Sequence, residues 1–189
     1  MIITISGYHG TGKTTYAARL AKHEGLRHVS AGALFRKLAK EKGLTLEELG
    51  QLALKDPSID RLIDEKTMAE AEKGNVVIDG QISGWILKEI ADLRIYLTTP
   101  DNIRIMRIAE RDRLSLEEAK RQTINRERVQ SERYKLHYGF KVEDRSIYNL
   151  ILDTSIGPID QVTRILVDTA EAAKTGIKKG NTGHGQESR

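Results

Sequence analysis

Gly7-Tyr8-His9-Gly10-Thr11-Gly12-Lys13-Thr14 is a complete G-x-x-x-x-G-K-T phosphate loop, set between the apolar run Ile2, Ile3, Ile5 and a helix-like stretch from Thr15 to Lys22. It commits the start of the chain to a strand, a tight turn and a helix. The glycines let backbone N–H groups turn inward onto phosphate oxygens, and the new helix presents its positive end to them. Residues Gly7 to Thr15 therefore predict a nucleoside triphosphate site, with Tyr8 and His9 at variable positions. In such a loop Lys13 reaches the β and γ phosphates, and the Thr14 hydroxyl holds a magnesium ion.

Beyond the loop, short β-rich runs alternate with longer helical patterns, which predicts an α/β fold with a parallel sheet covered on both faces. Strands are expected near residues 1–6, 27–29, 75–79, 93–98 and 149–153. Val76-Val77-Ile78 and Leu150-Ile151-Leu152 are continuous apolar runs, as doubly covered strands require. The second and third strands lie too far apart for a single crossover. Between them, three apolar stripes (Leu34, Phe35, Leu38, Ala39; Leu46, Leu49, Leu52, Ala53; Ile59, Leu62, Ile63, Met68) predict a helical insertion over about 31–73. A second insertion, about 112–138, is very polar. Thr45 with Glu48, and Ser115 with Glu118, have capping-box spacing. A last helix is expected over Ile159 to Ala173.

Composition narrows the setting. The 189 residues suit one domain, expected over 1–173, and contain no cysteine, so disulfides and thiolate metal sites are excluded. No apolar run approaches a membrane span and the chain enters its first strand at once, which leads us to expect a cytoplasmic protein without a signal peptide. The pI of about 9.2 suggests nucleic acid, yet residues 174–189 carry net +3 of the whole chain's +4. That tail is polar and glycine-rich and is expected to be disordered, so its charge needs no partner.

A phosphate loop does not say where the γ phosphate goes; other segments do. Ser30-Ala31-Gly32-Ala33-Leu34-Phe35-Arg36 follows the second strand, Asp79-Gly80-Gln81 ends the third, and Arg126-Glu127 through Arg133 lies in the polar insertion. With the loop, these resemble the nucleoside monophosphate kinases, most closely the short archaeal cytidylate kinases, from Met1 to about Ala173. The resemblance implies a three-layer P-loop NTPase fold with a five-stranded parallel sheet, a helical NMP-binding insertion (about 31–73) and a helical lid (about 112–138). It implies ATP-dependent phosphorylation of CMP and dCMP by a monomer that uses magnesium and binds neither nucleic acid nor membrane.

By the same resemblance, Arg36 grips the acceptor's phosphate, with Ser30, Gly32, Gly80 and Gln81 in its pocket. Asp79 plays the acidic role near the magnesium on Thr14. Lys13, Arg126 and Arg133 serve the transferring phosphates, and Arg111 the donor's adenine or phosphates. Read without the family, Arg36 is a solvated helix residue, Asp79 a turn residue before Gly80, and Trp85 a packing residue. Residues 104–135 hold ten Lys or Arg against six Asp or Glu, and most of these suit a solvated, salt-bridged helix pair. The chain departs from the pattern twice. Ala31 stands where adenylate kinases usually have a threonine, which disfavours AMP, and Gln81 stands where the family usually has a phosphate-holding arginine.

Phosphoryl transfer to an acceptor that is already anionic needs no general base, so the absence of a distinguished His or paired carboxylates is no objection to it. Alternatives are the same chemistry on AMP or another monophosphate, a nucleotide-operated switch, and a nucleic-acid-associated NTPase. The Asn-Lys-x-Asp guanine motif of switch GTPases is absent from the sequence.

Overall fold

The structure, a computed structural model, describes residues 1–181. Its elements are β1 (Ile2–Ser6), α1 (Lys13–Glu24), β2 (Arg27–Ser30), α2 (Ala31–Glu41), α3 (Leu46–Lys55), α4 (Ser58–Glu72), β3 (Val76–Asp79), α5 (Ser83–Ile86), β4 (Leu93–Thr98), α6 (Asp101–Asp112), α7 (Leu116–Tyr138), β5 (Leu150–Asp153) and α8 (Ile159–Asn181). The strands form one parallel sheet in the order β2-β3-β1-β4-β5. From β1 the chain goes first to one side of the sheet and then to the other. Ligands of open parallel sheets bind beyond the strand ends at such a reversal.

Val76, Val77 and Ile78 are all fully buried because successive side chains serve opposite layers. Ile3, Ile5, Val77, Ile95 and Leu97 pack with Leu20 of α1 and Leu166 of α8. Val76 and Ile78 pack on the other face with Ala71 of α4 and Leu87. The result is the expected three-layer α/β architecture, with strands on all five expected segments, but β5 is not doubly covered as its apolar run suggests: it lies at the sheet edge and leaves Ile151 exposed.

The helical insertion comprises α2, α3 and α4 and has a core of its own, in which Leu38, Ala39, Leu49, Ala53, Ile59 and Ile63 are buried together. Thr45 and Glu48 form the full reciprocal capping box on α3. Ser115 caps α7 by accepting from the Glu118 N–H at 3.2 Å. The Glu118 carboxylate turns instead to Arg121 and Gln122, so only half of that box forms. Trp85 stacks on Phe140, with ring centroids 4.7 Å apart, as a packing residue.

One boundary differs from expectation. α8 does not stop at Ala173 but continues through Lys174 to Asn181. Lys174 Nζ donates to Glu24 of α1, whose side chain is buried, so the start of the basic tail is tied to the body by charge. The remainder of the expected disordered tail, 182–189, lies outside the described residues. Among the described residues no helix is long and apolar enough to cross a membrane.

Candidate active site

Beyond the C-terminal ends of β1, β2 and β3 lies a cavity of about 1510 Å³. Pockets for one small ligand run to about 1,000 Å³, so this one has room for two. Its wall includes His9, Gly10, Gly12, Lys13, Thr14 and Thr15 of the loop region and Ser30, Gly32, Arg36, Asp79, Gly80 and Gln81 of the acceptor segments. Arg111, Arg126 and Arg133 line it as well. Tyr8 and Thr11 instead border a smaller hollow of about 430 Å³. The Tyr8 hydroxyl donates to Glu143 at 2.6 Å, and Thr11 Oγ1 closes the turn onto the Tyr8 carbonyl at 2.9 Å.

The loop's backbone is possible only for glycine at the points that matter. Gly10 has φ +79°, and a Cβ there would lie 2.6 Å from the Arg104 carbonyl oxygen. Gly7 has φ +140° and would press a Cβ into the Leu97 carbonyl. The turn is therefore wedged between β4 and α6. Lys13 Nζ folds back to donate to the Tyr8 carbonyl at 2.8 Å. Burial lowers the Lys13 ammonium to about 8, although Asp79 works in the opposite direction.

Sheet register places Asp79 beside both Ile5 and Ser30, which brings three loops to one point. Asp79 is buried, and its Oδ2 accepts from Thr14 Oγ1 at 2.9 Å and from Ser30 Oγ at 3.2 Å. Its Oδ1 lies 2.7 Å from His28 Nε2. His28 was absent from the sequence-based candidates. The signal lay in strand alternation, which puts His28 and Ser30 on the same side of β2. Arg107 of α6, one turn before Arg111 and so on the same face by spacing, is given its partner by the structure: it donates to Thr154 Oγ1 at 2.8 Å, and that hydroxyl donates to the Thr11 carbonyl at 3.0 Å, tying the loop to the end of β5.

Opposite the loop stands α7. Its Glu127 accepts from the His9 N–H at 3.3 Å and from buried Arg104 at 2.7 Å, while Gln130 Oε1 meets His9 Nε2 at 2.8 Å. Burial first, then Arg126 and Lys13, hold His9 well below the ordinary imidazole range, so it stays neutral near pH 7. Arg126 faces the cavity with no hydrogen-bond or ion-pair partner among the described residues. Burial lowers its pKa, and the neighbouring cations Arg111, Arg36 and Arg133 add to the effect.

Arg133 is placed differently from Arg126. It is buried, its Nε lies 3.0 Å from Asp60 Oδ2 at an angle poor for a hydrogen bond, and its guanidinium sits 5.3 Å over the Phe35 ring. Arg111 lies on the rim, paired with Asp112 at 2.7 Å. Arg36 is exposed and also unpaired among the described residues. Both polar atoms of the Gln81 side chain are buried in the wall of the same cavity with no partner among the described residues. Three cations of three segments, Lys13, Arg36 and Arg126, thus face one space without an ion-pair partner among the described residues, because the carboxylates of its wall, Glu47, Asp60, Asp64, Asp79, Asp112 and Glu118, are bonded to other side chains. Such an arrangement suits anionic groups.

The sequence model of the cytidylate kinase-like family matches residues 2–156. A cytidylate kinase of Staphylothermus marinus is 47% identical over 171 residues, which is 90% of this chain and 97% of that protein. A cytidylate kinase of Ignicoccus hospitalis is 45% identical over 170 residues, 88% of this chain and 99% of that one. Among solved structures, a shikimate kinase from Bacteroides thetaiotaomicron aligns over 90% of this chain and 98% of its own length with a TM-score of 0.61 at 16% identity, a likeness of fold.

Proposed function

Since the chain belongs to the cytidylate kinase-like family, whose activity is phosphotransfer between nucleotides, we propose that it moves the γ phosphate of ATP onto CMP and dCMP. The observation that carries this is the pair of unpaired arginines, Arg36 from the insertion and Arg126 from α7, facing the cavity that contains Lys13. Arg126, partly buried and without a partner among the described residues, is unfavourable there until an anion arrives, and exposed Arg36 is free to meet a second one. Two such cations from different segments suit a reaction in which two phosphate groups meet in line.

In this reading the donor's phosphates lie on the inward N–H groups of the loop and on Lys13. The acceptor's phosphate lies against Arg36, near Ser30 and Gly32. Gln81 offers hydrogen bonds there in place of a charge, and its orphaned amide gains partners when the acceptor binds. Arg126 disperses the charge on the moving phosphoryl group, and α7 above it keeps water away so that ATP is not hydrolysed. The attacking atom is an anionic phosphate oxygen, so no side chain need accept a proton. Arg111 on the rim is assigned to the donor.

Magnesium fits the residues present. The Thr14 hydroxyl and Asp79 carboxylate are neighbouring hard oxygens, and an ion carried in on phosphates needs only one or two protein ligands. When bound, the ion neutralises charge between the donor's phosphates. Action as a monomer in the cytoplasm completes this reading, and the cysteine-free composition supports that setting. With the charge excess concentrated in the tail, neither nucleic acid nor membrane is needed as a partner.

A coupled assay with ATP and each of CMP, dCMP, UMP, AMP and GMP tests this by comparing kcat/KM. CMP and dCMP are expected to rank first. A better acceptor than CMP would sink the base assignment, and turnover with none of them would sink the kinase reading.

A further inference from the structure

The helical insertion and α7 meet across a joint unlike the rest of the protein. The insertion buries its apolar residues in its own core, and α7 contributes Tyr134 to a different cluster with Ile82 and Val142. Between the two, every hydrogen bond and ion pair among the described residues involves charged or polar side chains. Asp60 Oδ2 of α4 faces Arg133 Nε at 3.0 Å and His137 Nδ1 at 3.3 Å. One turn along α4, Asp64 Oδ2 accepts from the Tyr138 hydroxyl at 2.5 Å. At the outer end Glu47 of α3 accepts from Asn125 at 3.0 Å.

Asp60, Arg133 and His137 are nearly inaccessible, with side-chain exposures of 7%, 3% and 8%. A charge desolvated to that degree is tolerated only while its partner is in place, so opening the joint requires water to enter on both faces. A partly opened joint would leave Asp60 and Arg133 desolvated without each other, so the closed arrangement is favoured until water can reach both. The joint lies in the wall of the cavity itself.

We propose that Asp60 and Asp64 are positioning residues that clasp α7 to the acceptor insertion, so that the two segments close as one body over the cavity. Arg126 lies on α7 two turns before Arg133, so seating the clasp also presents Arg126 to the donor's phosphates. Acceptor binding, which orders α2 and α4 through Arg36, thereby raises the affinity for the donor, and by linkage the donor raises that for the acceptor. This rests on the two-nucleotide reading of the cavity above.

Calorimetric titration of a non-hydrolysable ATP analogue into the full chain, with and without saturating CMP, reads the coupling. In the wild type CMP is expected to tighten the analogue about tenfold. In Asp60→Asn the analogue alone is expected to bind within about twofold of wild type, while the CMP effect falls below about threefold. If Asp60→Asn does not fold, Tyr138→Phe, which keeps the ring and removes only the bond to Asp64, decides by the same criterion. Full coupling in the folded variant would overturn the clasp alone, as would a wild type without coupling. CMP that binds the wild type nowhere would overturn the acceptor reading and the clasp with it. A variant that takes UMP in place of CMP would make Asp60 a base contact and also overturn the proposal.

Discussion

The two ends of the cavity are built in opposite ways. At the loop end, residues close in sequence form a turn whose shape comes from glycine φ angles, and the main donors are backbone N–H groups. At the lid end, side chains meet across 74 to 78 positions, as in Asp64 with Tyr138, Asp60 with His137 and Glu47 with Asn125. The loop end has its buried carboxylate, Asp79, held by His28, Ser30 and Thr14, so it keeps its shape without a ligand. The lid end leaves Arg126 unpaired and locks Arg133 onto Asp60. One end is shaped by backbone geometry and the other by paired side chains; in the proposed reading the first is a rigid end that fixes where phosphates sit, and the second a movable end whose charge pairs set when the cavity closes.

The largest expected effect is at the rigid end. Lys13→Ala should lower kcat by about 10³ while circular dichroism stays native, because the charge acts on the transferring phosphates. A loss confined to the KM for ATP would make Lys13 a binding residue only and weaken the contrast. At the movable end, Arg126→Ala should lower kcat by about 100-fold. Removing a partly buried cation with no partner should leave thermal stability equal or higher; a marked drop in melting temperature would show that Arg126 supports the fold.

A pH titration separates the two ends without mutation. Burial holds Lys13 near 8 in the free protein, and the donor's phosphates favour its charged form. Binding therefore takes up a proton above that value, and ATP affinity should be constant below pH 8 and about tenfold weaker at pH 9 than at pH 7. Affinity that is flat to pH 9 would mean that the ammonium is not the group the phosphates meet. The smallest change is expected from Gln81→Arg, which restores a charge beside the acceptor and should lower the acceptor's KM about fivefold. An unchanged KM would place the amide outside the phosphate's reach.

Much of this was legible before any coordinates. Val76-Val77-Ile78 announced a doubly covered strand, the three apolar stripes announced α2 to α4, and Thr45 with Glu48 announced a helix start. These signals are local: period, capping and glycine act within a few residues, and the chain has little freedom to disobey them. The Ser115 box shows the limit, since Glu118 found better partners one turn along the same helix. Lys174 shows another, because the start of a segment read as disordered continues α8 and pairs with the buried carboxylate of Glu24, a partner that lies 150 positions away.

Arg126 and Arg133 are seven positions apart on α7 and indistinguishable in pattern, yet one faces open cavity and the other an aspartate from α4. No spacing rule links Asp60 to Arg133, since the contact depends on where two inserted helices come to rest. The sequence by itself determined the phosphate loop, the parallel sheet and the kinship, because each is written in short-range constraints on backbone and polarity. The tertiary structure alone decided which cations are free, which carboxylates hold them and how the two insertions join. Charge pairing over such distances is settled by desolvation at the interface, and desolvation exists only in the folded chain.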